Sequence, residues 1–241
     1  MKKAAFFFIL FAFSLSGGAQ TVLMEEYPGN DTIIPIFGKN LKHYLHFYFS
    51  YSVFADDFSN DKAESKIPGS SDFSLGLRYK RKITTFYAMG LDLGMNSQGF
   101  SIRQTDQKSF PFPGKHKKES INTTGLSLEY YNRINFDRRG NKTGKFVDIG
   151  AYGFYNLNSW HFIRDESDTL GFGYTKAIET KLYKPDYLMN YGYGCSFRLG
   201  FNALVLTARY RLSDLIKKEG NYTGFPELPR LNVGLQIGLP G

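Results

Sequence analysis

From Leu41 to Phe54 the odd positions Leu41, His43, Leu45, Phe47, Phe49, Tyr51 and Val53 are mostly large and apolar. The even positions Lys42, Tyr44, His46, Tyr48, Ser50 and Ser52 are polar or amphipathic. A period of two marks a strand with one apolar and one polar face. At about 3.3 Å per residue the stretch is long for a soluble strand and suits a tilted strand crossing a bilayer. Seven later segments repeat the pattern. A second strand is expected at about Asp72 to Lys80, with Phe73, Leu75, Leu77 and Tyr79 on its apolar face. A third spans about Phe86 to Asn96, with Tyr87, Met89, Leu91, Leu93 and Met95. A fourth, about Ile121 to Phe136, turns Leu126, Leu128, Tyr130 and Ile134 outward, and a fifth, about Lys145 to Leu157, does so with Val147, Ile149, Ala151 and Tyr155. The sixth, about Asp186 to Arg198, presents Tyr187, Met189, Tyr191, Tyr193, Cys195 and Phe197. The seventh, about Ala203 to Ser213, presents Leu204, Leu206, Ala208, Tyr210 and Leu212, and the eighth, about Arg230 to Gly238, presents Leu231, Val233, Leu235 and Ile237.

Connections after the first, third, fifth and seventh of these strands run to roughly 14 to 28 residues, and the others to roughly 4 to 8, the alternation of a bacterial barrel with short periplasmic turns and long outer loops. The expected fold is therefore all-β, an eight-stranded antiparallel up-and-down transmembrane β-barrel in the bacterial outer membrane, with both termini periplasmic. A soluble barrel of the lipocalin kind would instead turn Arg78, Glu129, Arg133, Asp148, Arg209 and Arg211 to solvent. Hairpin geometry predicts Tyr79 opposite Tyr87 and Leu77 opposite Met89. On the inner face it predicts Arg133 opposite Asp148, Gly194 opposite Arg209 and Gly192 opposite Arg211.

The N-terminus reads as a secretory signal peptide over residues 1–19: Lys2 and Lys3, an apolar run from Ala4 to Phe13, then small residues ending at Gly17 and Ala19. The run is too short to span hydrocarbon. Residues 20–40, with Pro28, Gly29, Pro35 and Gly38, read as an irregular periplasmic lead-in, and residues 41–241 as the barrel. Seventeen per cent aromatic residues suit girdles at two membrane interfaces. Cys195 is the single cysteine, so no intramolecular disulfide forms. Loss of Lys2 and Lys3 takes the net charge from +8 to +6. In an exported chain that excess points to anionic lipid or lipopolysaccharide rather than nucleic acid.

The run Leu199, Gly200, Phe201, Asn202 into Thr207 to Leu215, followed by Leu228, Pro229, Arg230, Leu231 and the spaced Gly234, Gln236 and Gly238, resembles the PorT-like outer-membrane β-barrel family. The likeness extends over about Lys39 to Gly238. It implies an eight-stranded outer-membrane barrel and, through the member that names the family, an association with the type IX secretion machinery. It carries over no catalytic residue.

The inward set Lys42, Arg78, Lys80, Glu129, Arg133, Asp148, Arg198, Arg209 and Arg211 is expected to fill the lumen as a structural network, because an eight-stranded barrel has room only for side chains. His43 and His46 point to opposite faces and share no metal. His116 and His161 lie in different loops. His161 and Asp165, with Ser159 or another, unlocated serine as nucleophile, would serve an acyl-transfer or hydrolytic centre only if the fold brought them together. The basic run Lys115 to Lys118, near Phe110 and Phe112, would suit lipopolysaccharide phosphates or a solvated loop tip. Cys195 and Met189 are expected to pack toward lipid. No catalytic, cofactor or metal residue is assigned. The sequence is read as a small non-porin, non-enzymatic outer-membrane barrel, a structural or accessory envelope component linked to secretion. The alternatives are a lipid- or lipopolysaccharide-modifying enzyme and a surface ligand-binding or adhesin barrel.

Overall fold

The computed structural model describes residues 36–58, 62–66, 69–136, 142–168 and 175–239. The expected signal peptide and most of the lead-in lie outside these residues. Nine antiparallel strands follow in order: β1 (His43–Phe54), β2 (Ser71–Lys82), β3 (Tyr87–Ser101), β4 (Lys118–Asn135), β5 (Lys145–Asp168), β6 (Thr175–Tyr183), β7 (Tyr191–Phe201), β8 (Leu204–Arg211) and β9 (Leu231–Gly238). Each barrel strand pairs with its neighbours, β1 also with β9 and β4 also with β5. Eight strands thereby close an up-and-down barrel, and closure leaves it no edge to protect. β6 stands outside the cylinder and pairs with the upper part of β5.

Alternation decides the faces as expected. Leu45, Phe47, Phe49 and Tyr51 of β1 are exposed on the outside, and Tyr44, His46, Tyr48, Ser50 and Ser52 are buried inside. In β7, Tyr191, Tyr193, Cys195 and Phe197 face out while Gly192, Gly194, Ser196 and Arg198 face in. The outward apolar row from Tyr191 to Phe201 rises about 25 Å for a strand tilted by about 40°, the height of an outer-membrane apolar band. Exposed Phe86, Phe136 and Phe201 mark its short-turn end.

Three expectations about the strands need correction. Asn158 to Pro185 is not a loop, because β5 runs on to Asp168 and turns back as β6, a hairpin rising above the barrel. β3 and β4 likewise continue into the segment read as the loop Ser97 to Ser120. Tyr187 and Met189 precede β7 and face away from the outer surface. Tyr187 is buried beneath the long loops, and Met189 packs against the same cluster.

Registers also differ. Tyr79 lies opposite Leu91 and Leu77 opposite Leu93, because β2 continues to Lys82 and the turn falls later than the sequence suggests. Gly194 faces Arg211 and Ser196 faces Arg209, because the β7–β8 turn closes on Asn202 and Ala203, with Asn202 at φ 59°. Both shifts are even, so every face survives them. The bare inner positions receive aromatic rings rather than guanidinium groups: Tyr152 lies opposite Gly194, Phe154 opposite Gly192 and Tyr131 opposite Gly90.

The long connections fold into a second, apolar core at their own end of the barrel. Phe54, Phe100, Ile121 and Phe154 from the strand tops pack with Phe58, Ile102, Phe110, Leu188, Leu215, Ile216 and Leu228 from the connections. This cap seals the long-loop end of the lumen by ordinary hydrophobic burial.

A Cβ on Gly90 would run into the Tyr79 carbonyl oxygen and the Tyr131 ring, whereas one on outward Gly153 meets nothing closer than 3.9 Å. Gly90→Ala is expected to cost about 1–3 kcal/mol through overpacking, and Gly153→Ala almost nothing. Thermal unfolding in detergent, followed by the mobility change between folded and heated protein on a gel, measures the difference.

Candidate functional site

Two polar constellations occupy the inside of the barrel. The first fills the lumen. Arg78 on β2 donates to Asp92 on β3 from Nε at 2.8 Å and from Nη2 at 2.5 Å, and Nη2 also donates to Gln236 Oε1 at 3.0 Å. The Tyr48 hydroxyl donates to the other Asp92 oxygen at 2.7 Å. Arg133 and Asp148, opposite each other as the hairpin geometry predicts, form a bidentate pair at 2.7 and 2.8 Å. Arg198 bridges Asp148 at 3.2 Å and Glu129 at 2.7 Å, and Glu129 also receives Arg209 at 3.1 Å and Ser196 at 2.6 Å. The Tyr131 ring lies among the guanidinium groups of Arg78, Arg133 and Arg198, 5.0–5.5 Å from each. Charges buried this deeply are tolerable only when paired and hydrogen-bonded. At mid-height the remaining void among Tyr48, Ser50, Arg78, Arg198 and Arg209 is about 10 Å³, room for one water at most.

Most of the expected inward set belongs to this network or its margins. Lys80 is buried and donates to the Lys39 carbonyl. Arg211 is held higher up by Glu227 at 2.6 Å. Lys42 is a correction: it precedes β1 at the rim and is exposed. Asp92 is the member that sequence reasoning missed, although its parity placed it inside. The expected hairpin register put Ala88, not Asp92, across from Arg78.

The second constellation lies at the long-loop end, beyond the apolar band, where the outward residues of β4 have become Asn122 and Thr124. Glu119 is fully buried there, paired with buried Lys108 and hydrogen-bonded to His161 Nε2 at 2.9 Å and Gln104 Nε2 at 3.0 Å. Phe112 stacks on the His161 ring with centroids 5.8 Å apart. His161 faces inward because of a bulge: Thr124 pairs with Asn158 and Gly125 with Asn156, leaving Leu157 over. The extra residue reverses the parity of everything above it. Ser159 and His161, in phase with the outward Ile149 and Tyr155, therefore point inside. Burial pushes the Glu119 carboxyl up, but hydrogen bonds from His161, Lys108 and Gln104 and the Lys108 charge outweigh it and hold the group below its ordinary range.

The structure does not unite Ser159, His161 and Asp165. Asp165 pairs with His116 at 2.9 Å, while His161 is turned to Glu119. The basic run is engaged piecemeal: Lys115 with Asp106, Lys117 with Glu166 at 2.9 Å, and Lys118 over the Phe162 ring at 5.9 Å. Phe110 is buried in the cap and unavailable to a ligand, whereas Phe112 is partly exposed. His43 and His46 diverge as expected, His43 meeting the Tyr79 hydroxyl at 2.6 Å on the outside. Cys195 is exposed on the outer face. Among the described residues, no three His, Cys, Asp or Glu side chains come together as a metal site. No protein-family model and no curated protein matches the chain.

Asp148 serves two arginines, so Asp148→Ala leaves two buried cations short of a partner and is expected to cost about 3–5 kcal/mol, readable as a lowered unfolding temperature. Glu119 gives a pH dependence of definite sign. Its carboxyl is held below 4.5 in the folded chain, so its stabilisation is full above about pH 4.5 and fades as pH falls through the folded value. Protease cleavage of the long loops should therefore rise on acidification. In Glu119→Gln it should be raised already at neutral pH, and this carboxyl's part of the pH step should be missing.

Proposed function

We propose that this protein is a small non-porin barrel of the bacterial outer membrane that serves as a structural or accessory component of the envelope. The observation that carries the reading is the inversion of the two faces. Leu45 and Phe47 on β1, Leu93 on β3, Leu128 on β4, Ile149 on β5, Tyr193 on β7 and Leu235 on β9 are 45–62% exposed, while Arg78, Glu129, Arg133 and Asp148 inside are each 1% exposed. An apolar surface that encircles the whole barrel is far larger than a water-soluble monomer carries. It suits hydrocarbon, and the cylinder without edges satisfies its own backbone there. In this reading the leader of residues 1–19 exports the chain, the short turns and termini face the periplasm, and the capped end faces out against lipopolysaccharide.

The packed lumen and apolar cap favour an accessory role over a channel. The resemblance of residues 199–238 to PorT-like barrels favours secretion or envelope assembly as the setting, with partners among proteins of that machinery.

Gentle extraction from the native outer membrane, followed by native mass measurement and identification of co-purifying chains, tests the role. Stoichiometric envelope or secretion partners are expected. Isolation as a lone barrel bearing only lipid would overturn the accessory reading. In planar bilayers the purified protein is expected to give no stepwise conductance, and recovery from the soluble periplasmic fraction would overturn the membrane assignment.

A further inference from the structure

The two ends of the lumen are unlike. The long-loop end is sealed by the apolar cap, and the short-turn end opens into a cavity of about 340 Å³ lined by Tyr44, His46, Arg78, Arg133, Phe146, Val205 and Gln236, with Lys39 and Lys142 among the outer lining. Among the described residues, no carboxylate lines it. Four of its lining side chains, each more than nine-tenths buried, carry a polar atom without a hydrogen-bond partner among the described residues: Arg78 Nη1, Arg133 Nη1, His46 Nδ1 and Gln236 Nε2.

The chemistry of these atoms is one-sided. Arginine Nη1 and glutamine Nε2 only donate, and histidine Nδ1 donates in one of its tautomers. The glutamine orientation is set by its own contact, since Gln236 Oε1 already accepts from Arg78. The carboxylates that neutralise Arg78 and Arg133 sit on the other side of each guanidinium, where Asp92 and Asp148 take the Nε and Nη2 edges. Each free Nη1 is thus left for a third party. A water molecule accepts at most two such hydrogen bonds and supplies two hydrogens that need acceptors of their own. An oxyanion accepts several and supplies none, and charge-assisted bonds to guanidinium are the strong kind. Aromatic walls shape the site: Tyr44 stacks on His46 with centroids 4.7 Å apart, and the Phe146 ring lies 3.4 Å from the Arg133 guanidinium carbon.

We infer that the short-turn mouth of the lumen is a binding site for the carboxylate or phosphate group of a small soluble molecule. Arg78, Arg133, Gln236 and His46 hold the oxyanion, and Lys39 and Lys142 draw it in. On the orientation proposed above the ligand is a periplasmic solute, and that clause alone rests on the membrane reading.

The test uses the full mature chain in a non-ionic detergent with inorganic phosphate as the probe, followed by calorimetric titration and by line broadening of the phosphorus resonance. Saturable binding is expected. The rim variant Lys39→Gln with Lys142→Gln, which alters no buried contact of the ionic network, is expected to weaken it about tenfold, the equivalent of one lost charge-assisted bond. Val205→Phe, which fills the cavity and leaves every charge in place, is expected to abolish it, with gel mobility confirming that the barrel is closed. Lys117→Gln at the opposite end is expected to change nothing. Absence of saturable binding would overturn the site, as would binding that both cavity variants retain or that only Lys117→Gln weakens. Displacement of phosphate by phosphatidylglycerol vesicles would overturn the soluble ligand in favour of a lipid headgroup. None of these outcomes depends on which way the barrel faces, so a failed site and a failed membrane assignment are separately visible.

Discussion

The whole arrangement depends on neutralising charge inside a cylinder whose middle has almost no room for water. Asp92, Glu129 and Asp148 between them hold Arg78, Arg133, Arg198 and Arg209, and each partner comes from a neighbouring or facing strand. The ionic network therefore acts as a check on closure. It forms only when β1 to β5 and β7 to β9 are all in register, because a slip of one residue in any strand would turn that strand's inward charges toward the outer surface. Buried ion pairs contribute little net stability compared with apolar packing, but breaking one is costly. That asymmetry makes them better suited to specifying one register than to holding the fold together.

Cohesion comes from elsewhere. The backbone ladder satisfies its own hydrogen bonds around the cylinder, and the inward aromatic rings lie over glycines on the adjacent strand. Tyr131 above Gly90 and Tyr152 above Gly194 fill the lumen to a density that ionic side chains alone would not reach. The long connections supply what a soluble protein would call its core. Phe110, Leu215, Ile216 and Leu228 are fully or almost fully buried there, far from the outer apolar face. One chain thus carries two opposite solvation schemes, with polar side chains inside the barrel and apolar side chains inside the cap.

This division gives the molecule a polarity of ends. At the capped end Lys108, Glu119 and His161 form a buried cluster beneath Phe112. At the short-turn end Arg78 and Arg133 are among the residues that line a cavity, and each keeps a buried Nη1 without a hydrogen-bond partner among the described residues. The same side chains hold the network with their Nε and Nη2 edge and keep Nη1 outside it, which arginine's planar fork of donors allows and lysine's single ammonium does not.

Much of the barrel was already written in the alternation of residue types. Period two along Leu41 to Phe54 and its repeats determined the number of barrel strands and which face most of their side chains take, because side-chain direction in a strand depends only on parity. The Arg133 to Asp148 pair followed once the β4–β5 hairpin was added. Register depends on where a turn closes. The sequence placed the β2–β3 and β7–β8 turns too early, and so hid the pairing of Arg78 with Asp92. Parity itself fails at a bulge, so the inward turn of His161 followed only from the extra residue at Leu157. The burial of Phe110, Leu215 and Leu228 in one cap, and the convergence of Arg78, Arg133, His46 and Gln236 on one cavity, join residues far apart in the chain. Local pattern carries no record of such meetings, and only the closed cylinder brought them about.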